Sequence, residues 1–300
     1  MAAVGVTAPP SPLRAWLLAA RPRTLPLALA PVLVGTAVAY AEGGARALPA
    51  LAALGGALWL QIGANFANDV FDAERGADTE ERVGPARAVQ QGWLSARAVR
   101  IATGVAFGVA ALVGVYLIAV GGWPIAVLGV LSILAGFAYT GGPYPLAYHG
   151  LGEVAVFLFF GIGAVCGTAF VQTLDVPTAA FVASMPVGAL AAAVLVVNNA
   201  RDVETDRAAG KHTLAVRFGA NAARRGYVAL VAGSLATPVT WSIATSSPTL
   251  LLPLVCAPRA VRLCRSVLHD TGTALNLTLA GTARLAVVFA ALLALGIALS

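Results

Sequence analysis

Apolar residues fall into long blocks along the chain. Runs broken by few polar side chains occupy about residues 24–41, 48–71, 98–120, 123–140, 153–172, 177–199, 224–245, 249–264 and 276–299. Each is close to the roughly 20 residues that a helix needs to cross a bilayer. The pattern predicts an all-α polytopic membrane bundle of about nine transmembrane helices, formed by residues 1–300 as a single domain. The run 249–264 is the weakest, being short and carrying Pro253 and Pro258. Residues 1–10 are small and Pro-rich, which predicts disorder. Residues 11–23 set Trp16, Leu17 and Leu18 against Arg14, Arg21 and Arg23, the pattern of a short interfacial helix.

Composition supports the same class. Of 300 residues, 59% are hydrophobic and 11% charged, against about 25% charged in soluble domains. The 32 glycines suit closely packed membrane helices. Ala39-Tyr40-Ala41 has the A-x-A form of a signal-peptide cleavage site. Pro26 and Pro31 fit an apolar signal core poorly, and eight further runs follow, so the first run reads as a span.

The net charge of +6 is distributed unevenly. With a cytoplasmic N-terminus, the inside segments fall near 72–97, 141–152, 200–223 and 265–275. Counted with the adjoining span ends, seventeen of the nineteen Arg and Lys lie on that side, Arg46 and Arg284 being the exceptions. This asymmetry predicts a multi-pass protein of the cell (inner) membrane and sets the orientation. It points to a membrane surface and away from nucleic acid. No protein partner is implied.

Several chemistries lack support. Cys166, Cys256 and Cys264 form no CxxC pair, and His149, His212 and His269 are isolated in sequence. No GxSxG elbow and no GxxxxGK[ST] phosphate loop occurs.

Two polar clusters stand out at the ends of apolar runs. The first is Asn65-x2-Asn68-Asp69-x2-Asp72; the second is Asn198-Asn199-x-Arg201-Asp202-x3-Asp206. On a helix, Asn198, Asp202 and Asp206 form an i, i+4, i+8 stripe. Asn68-x3-Asp72-x3-Gly76 repeats that spacing, which hints at two related halves. Crowded carboxylates raise one another's pKa unless a cation neutralises them. Carboxylate and amide oxygens are hard donors, suited to magnesium or calcium. The loops that follow supply cations for a phosphate: Arg75, Arg82 and Arg87, then Arg207, Lys211 and Arg217. The competing reading is that Asn and Asp cap helices or bond between them. The pairing of both clusters with basic loops favours a magnesium–diphosphate site, placed in a membrane because the diphosphate carries a lipid tail.

These motifs resemble the paired Asp-rich motifs of the UbiA-type superfamily of intramembrane prenyltransferases. Arg21-Pro22-Arg23-Thr24-Leu25-Pro26, Glu81-Arg82-Val83-Gly84-Pro85-x-Arg87, Tyr139-Thr140-Gly141-Gly142-Pro143, Gly150-Leu151-Gly152-Glu153 and Gly210-Lys211-x-Thr213-Leu214-Ala215 extend the likeness. They are similar to the branch whose acceptor is 1,4-dihydroxy-2-naphthoate, in menaquinone biosynthesis. The resemblance implies a nine-helix bundle, magnesium, a polyprenyl diphosphate donor and an aromatic acid acceptor. It implies metal binding by Asn68, Asp69, Asp72, Asn198, Asp202 and Asp206, and diphosphate binding by Arg23, Arg82 and Lys211. Asp72, Asp202 and Lys211 would carry the catalysis. Arg87, Tyr139 and Arg201 are candidates for the acceptor, and Phe66, Phe71 and Tyr139 for shielding a carbocation. Gly76 replaces a third Asp found in many members, with Asp78 two residues on. Another aromatic acceptor, or a cation- or proton-coupled transporter, are the competing functions.

Overall fold

A computed structural model describes residues 10–22, 24–77 and 83–300. Its regular elements are α1 Pro12–Ala20, α2 Leu29–Ala41, α3 Ala47–Glu74, α4 Ala96–Gly121, α5 Trp123–Ala138, α6 Gly152–Val156 and α7 Ala164–Thr173. There follow α8 Thr178–Arg201, α9 Val203–Ala208, α10 Leu214–Phe218, α11 Ala220–Thr245, α12 Ala257–His269 and α13 Leu275–Ala298. A π-helical turn, Phe157–Gly163, joins α6 to α7 as one segment, Gly152–Thr173. No strand occurs among the described residues, as the block pattern predicts.

Each of the nine apolar runs becomes a helical segment, yet they are not nine equal spans. Among the described residues, six helices are long and apolar enough to cross a membrane: α3, α4, Gly152–Thr173, α8, α11 and Gly272–Ala298. The helix α5 is apolar but only 16 residues long. The first run opens with a 3₁₀ turn, Leu25–Ala28, before α2. The run 249–264 divides into a 3₁₀ segment, Pro248–Cys256, and the helix α12. Pro253 and Pro258 lack the N–H that a continuous α-helix needs. In α12, Ala260, Leu263 and Val267 are buried while Arg259, Arg262 and Arg265 are exposed. That half is an amphipathic surface helix, so the expected span is replaced by two shorter elements.

Within the segment 11–23 the chain forms the helix α1, Pro12–Ala20, with Leu13, Leu17 and Leu18 exposed, and Arg23 lies outside the described residues. The disorder expected for residues 1–10 falls mostly on residues 1–9, outside the described residues.

At the centre lies α8, which is the most buried of the six long helices. Its Val187, Leu190 and Val197 join Val34, Val38, Leu285, Phe289 and Leu293 in the main core. Two glycines set its approach to the π turn. A Cβ on Gly161 would lie 2.7 Å from Gly188 Cα, and one on Gly188 would lie 2.8 Å from Phe157 O. The backbones touch there, as small residues permit in membrane bundles.

Candidate active site

The first motif is carried on α3, which stays helical through Glu74. Asn65, Asp69 and Asp72 are buried, and Asn68 is half-buried. The second motif is less regular. The helix α8 ends at Arg201, Asp202 bends the chain (φ −100, ψ 14), and α9 resumes at Val203. The unbroken helical stripe expected there is therefore interrupted by one residue. Its register survives: Asp202 N–H donates to Asn198 O at 3.1 Å, and Asp206 N–H to Asp202 O at 2.8 Å.

Both motifs open onto one cavity of about 710 Å³. Asn68, Asp69, Asp72, Asn198, Asp202 and Asp206 line it, together with Arg87, Arg201, Lys211 and Tyr139. The fold thus brings together the described candidates for binding metal, diphosphate and acceptor. Arg23 and Arg82 lie outside the described residues, as does Asp78. Farther along, the walls are apolar, from Leu60, Leu117, Ile125, Leu128 and Phe160. Leu60 precedes Asn68 by eight helical residues, so this apolar part begins about 12 Å from the polar end.

The carboxylates are already partnered. Asp72 Oδ1 accepts from Lys211 Nζ at 3.0 Å and from the Tyr148 hydroxyl at 3.1 Å. Arg87 Nη2 stands 3.5 Å from Asp72 Oδ2. Arg201 grips Asp202 with two N–H groups, at 2.7 and 2.5 Å. It also donates to Asn198 Oδ1 at 2.8 Å and to Asn276 Oδ1 at 2.7 Å. Asp69 accepts from the backbone N–H of Ala88 at 3.1 Å and of Val89 at 3.2 Å, fixing the loop that bears Arg87. Charges withdrawn this far from water require such neutralisation.

Lys211 reaches Asp72 because Gly210 turns the chain at φ +70, a conformation that glycine adopts without steric cost. The other expected loop cations turn elsewhere. Arg75 donates to Gly142 O, Arg207 pairs with exposed Glu204, and Arg217 donates to His212 O. None of the three lines the cavity. Phe66 packs edge-on against Trp16 and Phe71 against Phe137, so neither faces the cavity, whereas Tyr139 does.

Three contributors escaped the sequence reading. Tyr148 bonds Asp72, Thr140 Oγ1 donates to Asn68 Oδ1 at 2.9 Å, and Asn276 receives Arg201. Asn276, a lone amide opening the last apolar run, was the most visible of them.

The donor set fits a hard divalent cation. The lining side chains offer carboxylate and amide oxygens, with no His or Cys among the described residues. No group of three or more His, Cys, Asp or Glu is gathered in ligand geometry among them. Lys211 and Arg201 supply the counter-charge instead.

The sequence profile of the UbiA prenyltransferase family matches residues 28–274. The chain belongs to that family. It is 42% identical over 273 residues to the 1,4-dihydroxy-2-naphthoate octaprenyltransferase of Mycobacterium tuberculosis, covering 87% of this chain and 92% of the relative. The Escherichia coli protein of the same name is 39% identical, with 86% of each chain covered. A UbiA homologue from Archaeoglobus fulgidus, solved with DMAPP and Mg2+, superimposes with a TM-score of 0.61. At 16% identity over 92% of this chain and 98% of the homologue, it supports the UbiA fold.

Proposed function

We propose that this UbiA-family protein transfers a polyprenyl group from polyprenyl diphosphate to 1,4-dihydroxy-2-naphthoate. The acceptor loses its carboxylate as carbon dioxide, yielding demethylmenaquinone in its reduced, hydroquinone form, and diphosphate. The observation that carries the reading is the single cavity with both acidic motifs at one end and an apolar wall beyond. The names of the relatives that share most of this chain support the choice of acceptor.

Asn68, Asp69, Asp72, Asn198, Asp202 and Asp206, all lining the cavity, would hold magnesium. When bound, magnesium would neutralise the diphosphate and weaken its hold on the allylic carbon. Lys211, already drawn to this end of the cavity, stabilises charge on the departing diphosphate as the C–O bond breaks and its electron pair leaves. Arg23 and Arg82 are further candidates for that anion. The apolar walls hold the prenyl tail and keep water from the allylic cation. The electron-rich ring closes the new C–C bond, and departing carbon dioxide returns its bonding pair to the ring. Arg87 and Arg201 both line the cavity and are the candidates for the acceptor carboxylate, Arg87 from beside Asp72 and Arg201 from beside Asp202. Tyr139 borders the same space. The Arg and Lys distribution supports a cell-membrane location with both acidic motifs facing the cytoplasm.

Reconstituted protein given polyprenyl diphosphate, Mg2+ and the naphthoate should release pyrophosphate only when all three are present. Release independent of the acceptor, or ion flux without release, would contradict the reading.

A further inference from the structure

Tyr148 stands where three parts of the site meet. It is 7% exposed, and its hydroxyl donates to Asp72 Oδ1. Its ring lies near two cations, with Lys211 Nζ 4.9 Å and the Arg75 guanidinium carbon 5.2 Å from the centroid. Its carbonyl accepts from His212 N–H at 2.9 Å. One side chain therefore links α3, the loop before α6 and the loop that carries Lys211.

This placement serves two purposes. A carboxylate offers about four lone-pair sites. The phenol occupies one of them and fixes the rotation of the carboxylate; Lys211 shares Oδ1 and Arg87 faces Oδ2 at 3.5 Å, so a cation entering the cavity takes the remaining site or displaces one of these movable side chains. The ring attracts the ammonium through its quadrupole, which is weaker than a second ion pair. Lys211 is thus kept close yet remains able to shift toward an incoming anion.

We propose that Tyr148 is a positioning residue. Its hydroxyl orients the Asp72 carboxylate toward the metal, and its ring holds Lys211 beside the anion site. This rests on reading Asp72 as a metal ligand and Lys211 as the cation for the leaving group.

The test is calorimetric titration of purified full-length protein with Mn2+ and inorganic pyrophosphate, alongside thermal unfolding. Removing a group that orients a metal ligand typically weakens metal binding about 10–100-fold. Tyr148→Phe should therefore bind manganese pyrophosphate at least about tenfold more weakly, with little change in unfolding temperature. Tyr148→Leu should weaken binding further, and in a Lys211→Met background it should add nothing beyond Tyr148→Phe. Wild-type affinity in Tyr148→Phe, or equal added losses in both backgrounds, would overturn the proposal. If Tyr148→Leu does not fold, Tyr148→Phe decides alone. Asp72→Asn separates the two levels. If it binds like the wild type, or if the wild type does not bind, the metal-site reading itself falls. If Asp72→Asn loses binding while Tyr148→Phe keeps it, only the role of Tyr148 falls.

Discussion

Lys211 Nζ lies 3.0 Å from Asp72 Oδ1, so the single lysine of the chain closes onto the first acidic motif from the loop after the second. The two motifs are joined by charge as well as by a shared cavity. In this arrangement the lysine counters the carboxylate while staying within reach of an anion that enters between them.

Lys211→Met keeps the length and apolar stem of the side chain. A cation acting on the leaving group is worth more in the transition state than in the ground state. Steady-state kinetics with prenyl diphosphate as the varied substrate should show kcat lowered by about 10²–10³, with a smaller change in KM. A kcat within about twofold of wild type would assign Lys211 to charge balance alone.

Asp202→Asn should remove most activity and also lower stability, because Arg201 is buried against that carboxylate. Breaking a buried pair from one side costs about 3–5 kcal/mol, whereas replacing both partners is often neutral. The double variant Asp202→Asn/Arg201→Met should therefore recover unfolding temperature without recovering activity. Recovery of both would make the pair purely structural.

Gly161→Ala should destabilise the bundle, since its new Cβ would meet the backbone of Gly188 at 2.7 Å. Overpacking of this kind typically costs about 1–3 kcal/mol. Gly104→Ala, with open space around it, is the matched control. Its unfolding temperature should stay level or rise, because Ala is the better helix former. Equal behaviour of the two variants would contradict the close contact of the π turn with α8.

Orientation is checked by cysteine labelling. Ala208→Cys, exposed at the end of α9, should react in sealed cells only after the inner face is opened. Asp175→Cys, exposed between α7 and α8, should react from outside. The reverse pattern would overturn the charge-based topology.

Much of the site was legible because Asn and Asp are conspicuous in apolar sequence. Asn68, Asp72, Asn198, Asp202 and Asp206 all reach the cavity, and the turn at Gly210 that returns Lys211 follows from a local preference. Other features depend on tertiary contacts that no spacing encodes. Arg207 and Arg217 look like Lys211 in sequence, yet they point to Glu204 and to a backbone carbonyl. The bend at Asp202 carries no Gly or Pro to announce it. Tyr148 lies in a loop rich in Tyr and Pro, and nothing local marks it as the residue that reaches Asp72. Pro253 and Pro258 did mark the weakest run, and it is there that the expected span breaks.

The most direct measurement is mass spectrometry of the lipids made when the protein, prenyl diphosphate and Mg2+ are supplied with competing aromatic acids. The expected product is the naphthoate acceptor carrying the prenyl chain and lacking its carboxylate, with hydroxybenzoate and homogentisate left unreacted. A prenylated hydroxybenzoate as the main product, or a naphthoate product that keeps its carboxylate, would contradict the proposed reaction.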